Sequence, residues 1–124
     1  MQYLLMICGT ESDPAFGPEQ VDEAVMEQTR AWVKEMDDRG VRKFGSRLRP
    51  TSASTMVRVR DNETLVSDGP FAETKEHILG FDLLECDDLD EAIAVAAKHP
   101  AATHGSVEVR PLWPERAAEE WLTT

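Results

Sequence analysis

The chain has 124 residues, 41% of them apolar, and its 13 basic residues against 24 acidic ones give a formal net charge of -11. A chain of this length suits one globular domain, because it buries roughly two thirds of its unfolded surface. The acidic balance repels phosphate backbones and anionic headgroups at long range, which argues against nucleic acid and membrane surfaces as partners.

The run "QYLLMIC" (2 to 8) is apolar over the length of a strand covered on both faces. No basic segment precedes it and no small-residue cleavage pattern follows, so it does not read as a secretory signal, and no run in the chain reaches the roughly 18 apolar residues of a membrane span. The loop "GTESDPAFGP" leads to Gly17 and Pro18, a fitting helix start because Pro at the first helical position forfeits no intrahelical bond. Val21, Val25, Trp32 and Met36 then recur near helical spacing, and Gly40 closes the helix in a left-handed conformation. "VRKFGSRL" (41 to 48) reads as a second strand, and "TMVRVR" (55 to 60) alternates, with Val57 and Val59 opposite Arg58 and Arg60. "DNE" turns the chain into a hairpin partner, "TLVS" (64 to 67).

Another strand, "ILGFDLLEC" (78 to 86), puts Leu79, Phe81 and Leu83 on one face and Gly80, Asp82 and Leu84 on the other. Asp88 with Glu91 three residues on signals a capped second helix, with Leu89, Ala92, Ile93 and Ala96 as its apolar stripe and Pro100 as its stop. "SVEVRPLW" (106 to 113) is the last strand. The domain therefore spans 1 to 113, and 114 to 124 is a tail suited to a short docking helix carrying Trp121. Cys8 and Cys86 sit in apolar stretches without C-x-x-C spacing, which suits reduced thiols in a cytoplasmic protein, with a disulfide between them as the alternative.

This order predicts an α+β, ferredoxin-like sandwich with both helices on one face of an antiparallel sheet. The other sheet face stays bare, so pairing of two copies, sheet to sheet, into a homodimer is expected.

Motifs of nucleophile elbows, P-loops, zincins and dinucleotide-binding folds are absent. None of His77, His99 and His104 lies four residues from another, so no metal site is expected. His99 reads as a partner of a helix C-terminus. His104 precedes Gly105 at the edge of the last strand, where an imidazole either shuttles protons or bonds to backbone. In "SDGPFAETKE" (67 to 76), Asp68, Gly69 and Pro70 are turn chemistry, whereas Phe71 and the charges at Glu73, Lys75 and Glu76 suit a loop folded over a cleft mouth. Asp82, Glu108 and Arg110 are expected on the sheet face that the helices leave open. There, confinement raises carboxyl pKa values and makes general-base duty feasible, with Arg110 free to pair with Glu108 or to anchor an anion.

"LVSDGPFAETKE" followed by "GFDLLECDDLDEAIAVAAKHPAATHGSVEVRPLW" resembles the DGPF-domain branch of the YCII-related proteins, and the similarity runs from about residue 2 to 113. The resemblance implies a dimeric α+β barrel with a cleft at the sheet face and, for many members, a link to extracytoplasmic-function sigma factors. A histidine-aspartate pair proposed for one branch has no counterpart, because no histidine precedes Glu76. Asp68, Gly69, Pro70, Phe71, Lys75, Glu76, Gly80, His104, Gly105, Glu108, Arg110 and Pro111 match recurrent positions; Leu79 and Asp82 depart from them. The implied function is proton-transfer chemistry, elimination or isomerisation, on a small organic molecule without a cofactor. Asp68 and His104 would be the catalytic pair, and Phe71, Lys75, Asp82, Glu108 and Arg110 would bind substrate. The alternative is a non-enzymatic ligand-binding or accessory protein tied to sigma-factor regulation.

Overall fold

The computed structural model describes residues 1–13, 15, 22–69 and 76–114. The expected helix residues Pro18 and Val21, the loop residues Phe71 and Lys75, and the tail with Trp121 lie outside the described residues.

The opening apolar run forms β1 (Gln2–Gly9) and is followed by α1 (Glu23–Asp38). This helix starts later than the expected Pro18, because Asp22 caps it: the Asp22 carboxylate accepts the backbone N–H groups of Ala24 and Val25, two donors that a helix start otherwise leaves unmet. Its end is as expected. Gly40 takes φ +72, Gly40 N–H reaches the Asp37 carbonyl and Val41 N–H reaches the Met36 carbonyl, a closure that satisfies the last carbonyls.

The chain continues through β2 (Arg42–Arg47), a single 3-10 turn at Thr51–Ala53, and the hairpin of β3 (Thr55–Arg60) and β4 (Glu63–Asp68). Asp61 and Asn62 make the two-residue hairpin turn at positive φ, 52 and 64, a conformation that short polar side chains tolerate. Then come β5 (His77–Glu85), α2 (Leu89–Ala97), α3 (Ala101–His104) and β6 (Ser106–Pro111). Pro100 does not end helical structure outright, since one further turn, α3, begins directly after it.

Among the described residues four strands form an antiparallel sheet in the order β2-β5-β1-β6, and β3 with β4 forms a separate two-stranded sheet. With that hairpin set aside as an insertion, the order and the two covering helices are ferredoxin-like, as predicted. Tyr3, Leu5 and Leu84 from the sheet meet Trp32 and Met36 of α1 and Ala92, Val95 and Ala96 of α2 in one core. The indole Nε1 of Trp32 donates to the Val95 carbonyl at 2.9 Å, tying the two helices together.

The α2 stripe differs from expectation. Val95 is buried while Leu89 and Ile93 are exposed; the small side chains of Ala92 and Ala96 form the packed side, and the bulkier pair flanks it. The opposite sheet face carries half-buried Leu4, Phe81 and Leu83 and Phe44, 60% exposed. No helix among the described residues is long and apolar enough to cross a membrane.

Candidate functional site

Between α1 and the β2–β5 side of the sheet lies a cavity of about 150 Å3. Val25, Met26 and Val33 of α1 form one wall, with Ile7, Leu48 and Leu79 opposite. The charged and titratable lining comprises Glu11, Arg42, Arg47, Arg49, Asp82 and His99.

Asp82 is mid-strand in β5, where period-2 alternation places it with Gly80 and Leu84 beneath the helices, 6% exposed. The expectation that Asp82 lies on the open face is therefore overturned. The parity was legible, but the assignment of that parity to a face was inverted: Leu84, which shares it, is a core residue. The register sets Asp82 opposite Gly45 of β2, and a Cβ at position 45 would overlap Asp82 Oδ1. A glycine in mid-strand here makes room for a buried carboxylate.

Asp82 Oδ1 accepts from Arg42 Nε at 2.7 Å, and Arg42 Nη1 reaches Asp37 Oδ1 on α1 at 3.2 Å. Burial pushes the Asp82 carboxyl above its usual range, and the Arg42 bond pulls it only part of the way back. Arg42 stays charged: its burial works against the cation, but its bonds to Asp82 and Asp37 outweigh that.

His99 is 6% exposed, stacked edge-on against Trp32 with ring centroids 4.7 Å apart. Its Nδ1 accepts the backbone N–H of Ala101 at 3.0 Å, which places the proton of the neutral ring on Nε2. Burial lowers its pKa to about 4. His99 is thus a neutral imidazole, and the expected role as a cation at a helix end gives way, because desolvation outweighs the helix field. No buried side-chain nitrogen or oxygen among the described residues lacks a hydrogen-bond partner. Asp82 Oδ2 and His99 Nε2 take no part in the bonds described above, and both residues line the cavity.

The sequence profile of the YCII-related domain matches residues 1–116. The chain belongs to the YCII-related family. An uncharacterized protein of Rhizobium meliloti (strain 1021) is 45% identical, with 73% of this chain and 85% of that protein covered.

The other expected site residues of this YCII-related protein are dispersed. Asp68 ends β4 and is exposed, on the hairpin rather than the main sheet. His104 ends α3, also exposed, and neither residue lines the cleft. Glu108 and Arg110 sit opposite Met6 and Leu4 on the open face and pair with each other at 2.5 Å. Phe71 and Lys75 lie outside the described residues. No group of three or more His, Cys, Asp or Glu side chains converges as a metal site among the described residues. Sequence reading missed Arg42 and His99 as cleft residues. The usable signal for Arg42 was Gly45 inside a strand, which marks a close approach; His99 had none, since its burial depends on the contact with Trp32.

Proposed function

We propose that this YCII-related protein is a small cleft enzyme that works without a cofactor and moves a proton on a small organic molecule, in an elimination or isomerisation. The observation that carries the reading is a buried carboxylate, Asp82, held at one oxygen by Arg42 and facing an apolar cavity that also exposes a neutral imidazole. A carboxylate with an upward-shifted pKa is a stronger base than an exposed aspartate, and Oδ2 is the lone-pair site for a substrate C–H proton. His99 stays neutral, so its Nε2–H donates a hydrogen bond to the oxyanion that develops beside the carbon acid, without first giving up a proton. The apolar walls keep water from competing for either group.

Pairing into a homodimer belongs to this proposal. Phe44 on the open sheet face, and Val57 and Val66 at 61% and 65% exposure on the hairpin, supply the apolar surface that a second copy would cover. A cytoplasmic setting suits the two free thiols, Cys8 and Cys86.

The test is deuterium exchange. A panel of small carbonyl compounds is incubated with the protein in D2O and read by NMR for label at acidic C–H positions. Wild type exchanges at least one compound, and Asp82→Asn lowers that rate by about 10² or more. Asp68→Asn and His104→Ala run alongside. If they abolish exchange and Asp82→Asn does not, the chemistry lies at those residues instead. Compounds that bind without exchanging favour the ligand-responsive accessory protein, for which the acidic surface offers a face to a basic partner such as a sigma-factor regulator. A monomeric mass by light scattering at micromolar concentration sinks the dimer.

A further inference from the structure

We infer that the cleft takes a carboxylate-bearing molecule whose apolar body is about the size of a single six-membered ring, and that Arg47 and Arg49 receive the carboxylate. The inference rests on the reading of the cleft as the working site and adds the substrate class.

Arg47 and Arg49 both line the cavity. Arg47 pairs in register with Gly80, two residues beyond Gly45 and on the same helix-covered side of β2. Arg49 follows in the segment leading to the 3-10 turn. That segment is pinned from both ends. Leu48 N–H donates to the Leu79 carbonyl at 2.9 Å. Both oxygens of Glu11 are taken by Thr51, through its N–H at 2.8 Å and its hydroxyl at 2.9 Å. The two arginines therefore hang from a fixed stretch of backbone rather than a loose loop.

Neither guanidinium has a salt-bridge or hydrogen-bond partner among the described residues, although acids surround them. Glu11 is committed to Thr51, Asp37 and Asp82 to Arg42, and Asp38 to Lys34 at 2.7 Å. In a chain with 24 acidic residues and 13 basic ones, cations without partners run against the statistics of the surface. Two of them converge on one apolar cavity. Arg110, the anion anchor expected from the sequence, is by contrast neutralised by Glu108.

Guanidinium forks match carboxylates in geometry, and a cleft wall of low polarity strengthens the contact. Size follows from volume, since an apolar cavity of about 150 Å3 accommodates a benzene ring. The ligand is thus amphipathic. Its ring or short chain lies against Val25, Val33 and Leu79, and its carboxylate points to the mouth.

The experiment titrates benzoate, benzamide and phenyl phosphate into wild type, Arg47→Gln and Arg49→Gln by ligand-observed NMR. Benzamide has the shape of benzoate without its charge. Wild type should bind benzoate at least tenfold more tightly than benzamide, and each substitution should weaken benzoate about tenfold while leaving benzamide unchanged. Equal affinity for benzoate and benzamide, no saturation by benzoate below about 10 mM, or insensitivity to both substitutions would overturn the inference. Preference for phenyl phosphate over benzoate would overturn the carboxylate assignment. Asp82→Asn separates this from the proton-transfer reading. Benzoate selectivity that survives in wild type and Asp82→Asn, with no deuterium exchange of any compound in wild type, leaves the anion site standing and removes the catalysis. Exchange that proceeds equally well in both arginine variants does the reverse.

Discussion

Acidification should destabilise the fold through one side chain, His99. In the folded protein its pKa is about 4 against an ordinary value of 6.5. A histidine whose folded pKa is depressed contributes stability that is present above the unfolded value and lost as pH falls toward the folded one, because the unfolded chain takes up the proton first. The window is therefore pH 6.5 down to about 4. The gap between those values, at about 1.4 kcal/mol per pH unit, comes to about 3 kcal/mol. Other groups titrate in the same range: protonating carboxylates on a chain of net charge -11 relieves repulsion and works in the opposite direction. The measurement is consequently a difference. Urea unfolding of wild type and His99→Gln is followed at several pH values at one protein concentration. His99→Gln is less stable at neutral pH, since it loses the packing on Trp32, but the gap between the two should close by about 3 kcal/mol on going to pH 4. Parallel stability curves, or an NMR titration that places His99 near 6.5, would refute both the burial argument and the neutral imidazole on which the proposed chemistry draws.

Two further substitutions probe how the cleft and its helices are held. Gly45→Ala should cost about 2 kcal/mol in urea unfolding, because the new methyl overlaps Asp82 Oδ1 and also lies 2.7 Å from the Phe81 carbonyl, backbone that cannot swing aside; wild-type stability in this variant would show that Asp82 is not seated against β2. Asp22→Ala and Asp88→Ala each remove a cap, the first accepting from Ala24 and Val25 and the second from Glu91, and each should lower stability by about 1 kcal/mol. The Asp22 result also tests where α1 begins, since a helix starting at Pro18 would be indifferent to it.

The fold was legible because its signals are local and repeat. Period-2 alternation in β5 and β6, the stripe through Val25, Trp32 and Met36, and the Asp88 cap each follow from a few neighbouring residues. The cleft was less legible, because it depends on which face of a strand the helices choose. Asp82 and Phe81 are adjacent and both plausible inward residues; only the packing of Leu84 against Met36 and Trp32 decides which of the two is covered. The carboxylate of Asp82 is accommodated on the covered side by a partner 40 residues away, Arg42, and by a glycine across the ladder. His99 was misread for a related reason. Its position at a helix end is local, whereas its burial comes from Trp32 on the other helix.

Net charge and local charge act on different ligands. A total of -11 disfavours long polyanions, whose many phosphates sample the field of the whole surface. A small carboxylate samples something else. Beyond about 8 Å, salt screens most of the surface acids, while the guanidiniums of Arg47 and Arg49 act over contact distance beside low-dielectric walls. Glu11, Asp38 and the Asp37–Asp82 pair are hydrogen-bonded to Thr51, Lys34 and Arg42, so none of them is bonded to either guanidinium. An acidic protein can therefore select a small anion and reject a large one with the same charge distribution. On the proposed reading, what sets the preference is which few charges remain without partners and where they stand, and in this chain two such residues, Arg47 and Arg49, line the same cavity as the buried carboxylate and the neutral imidazole.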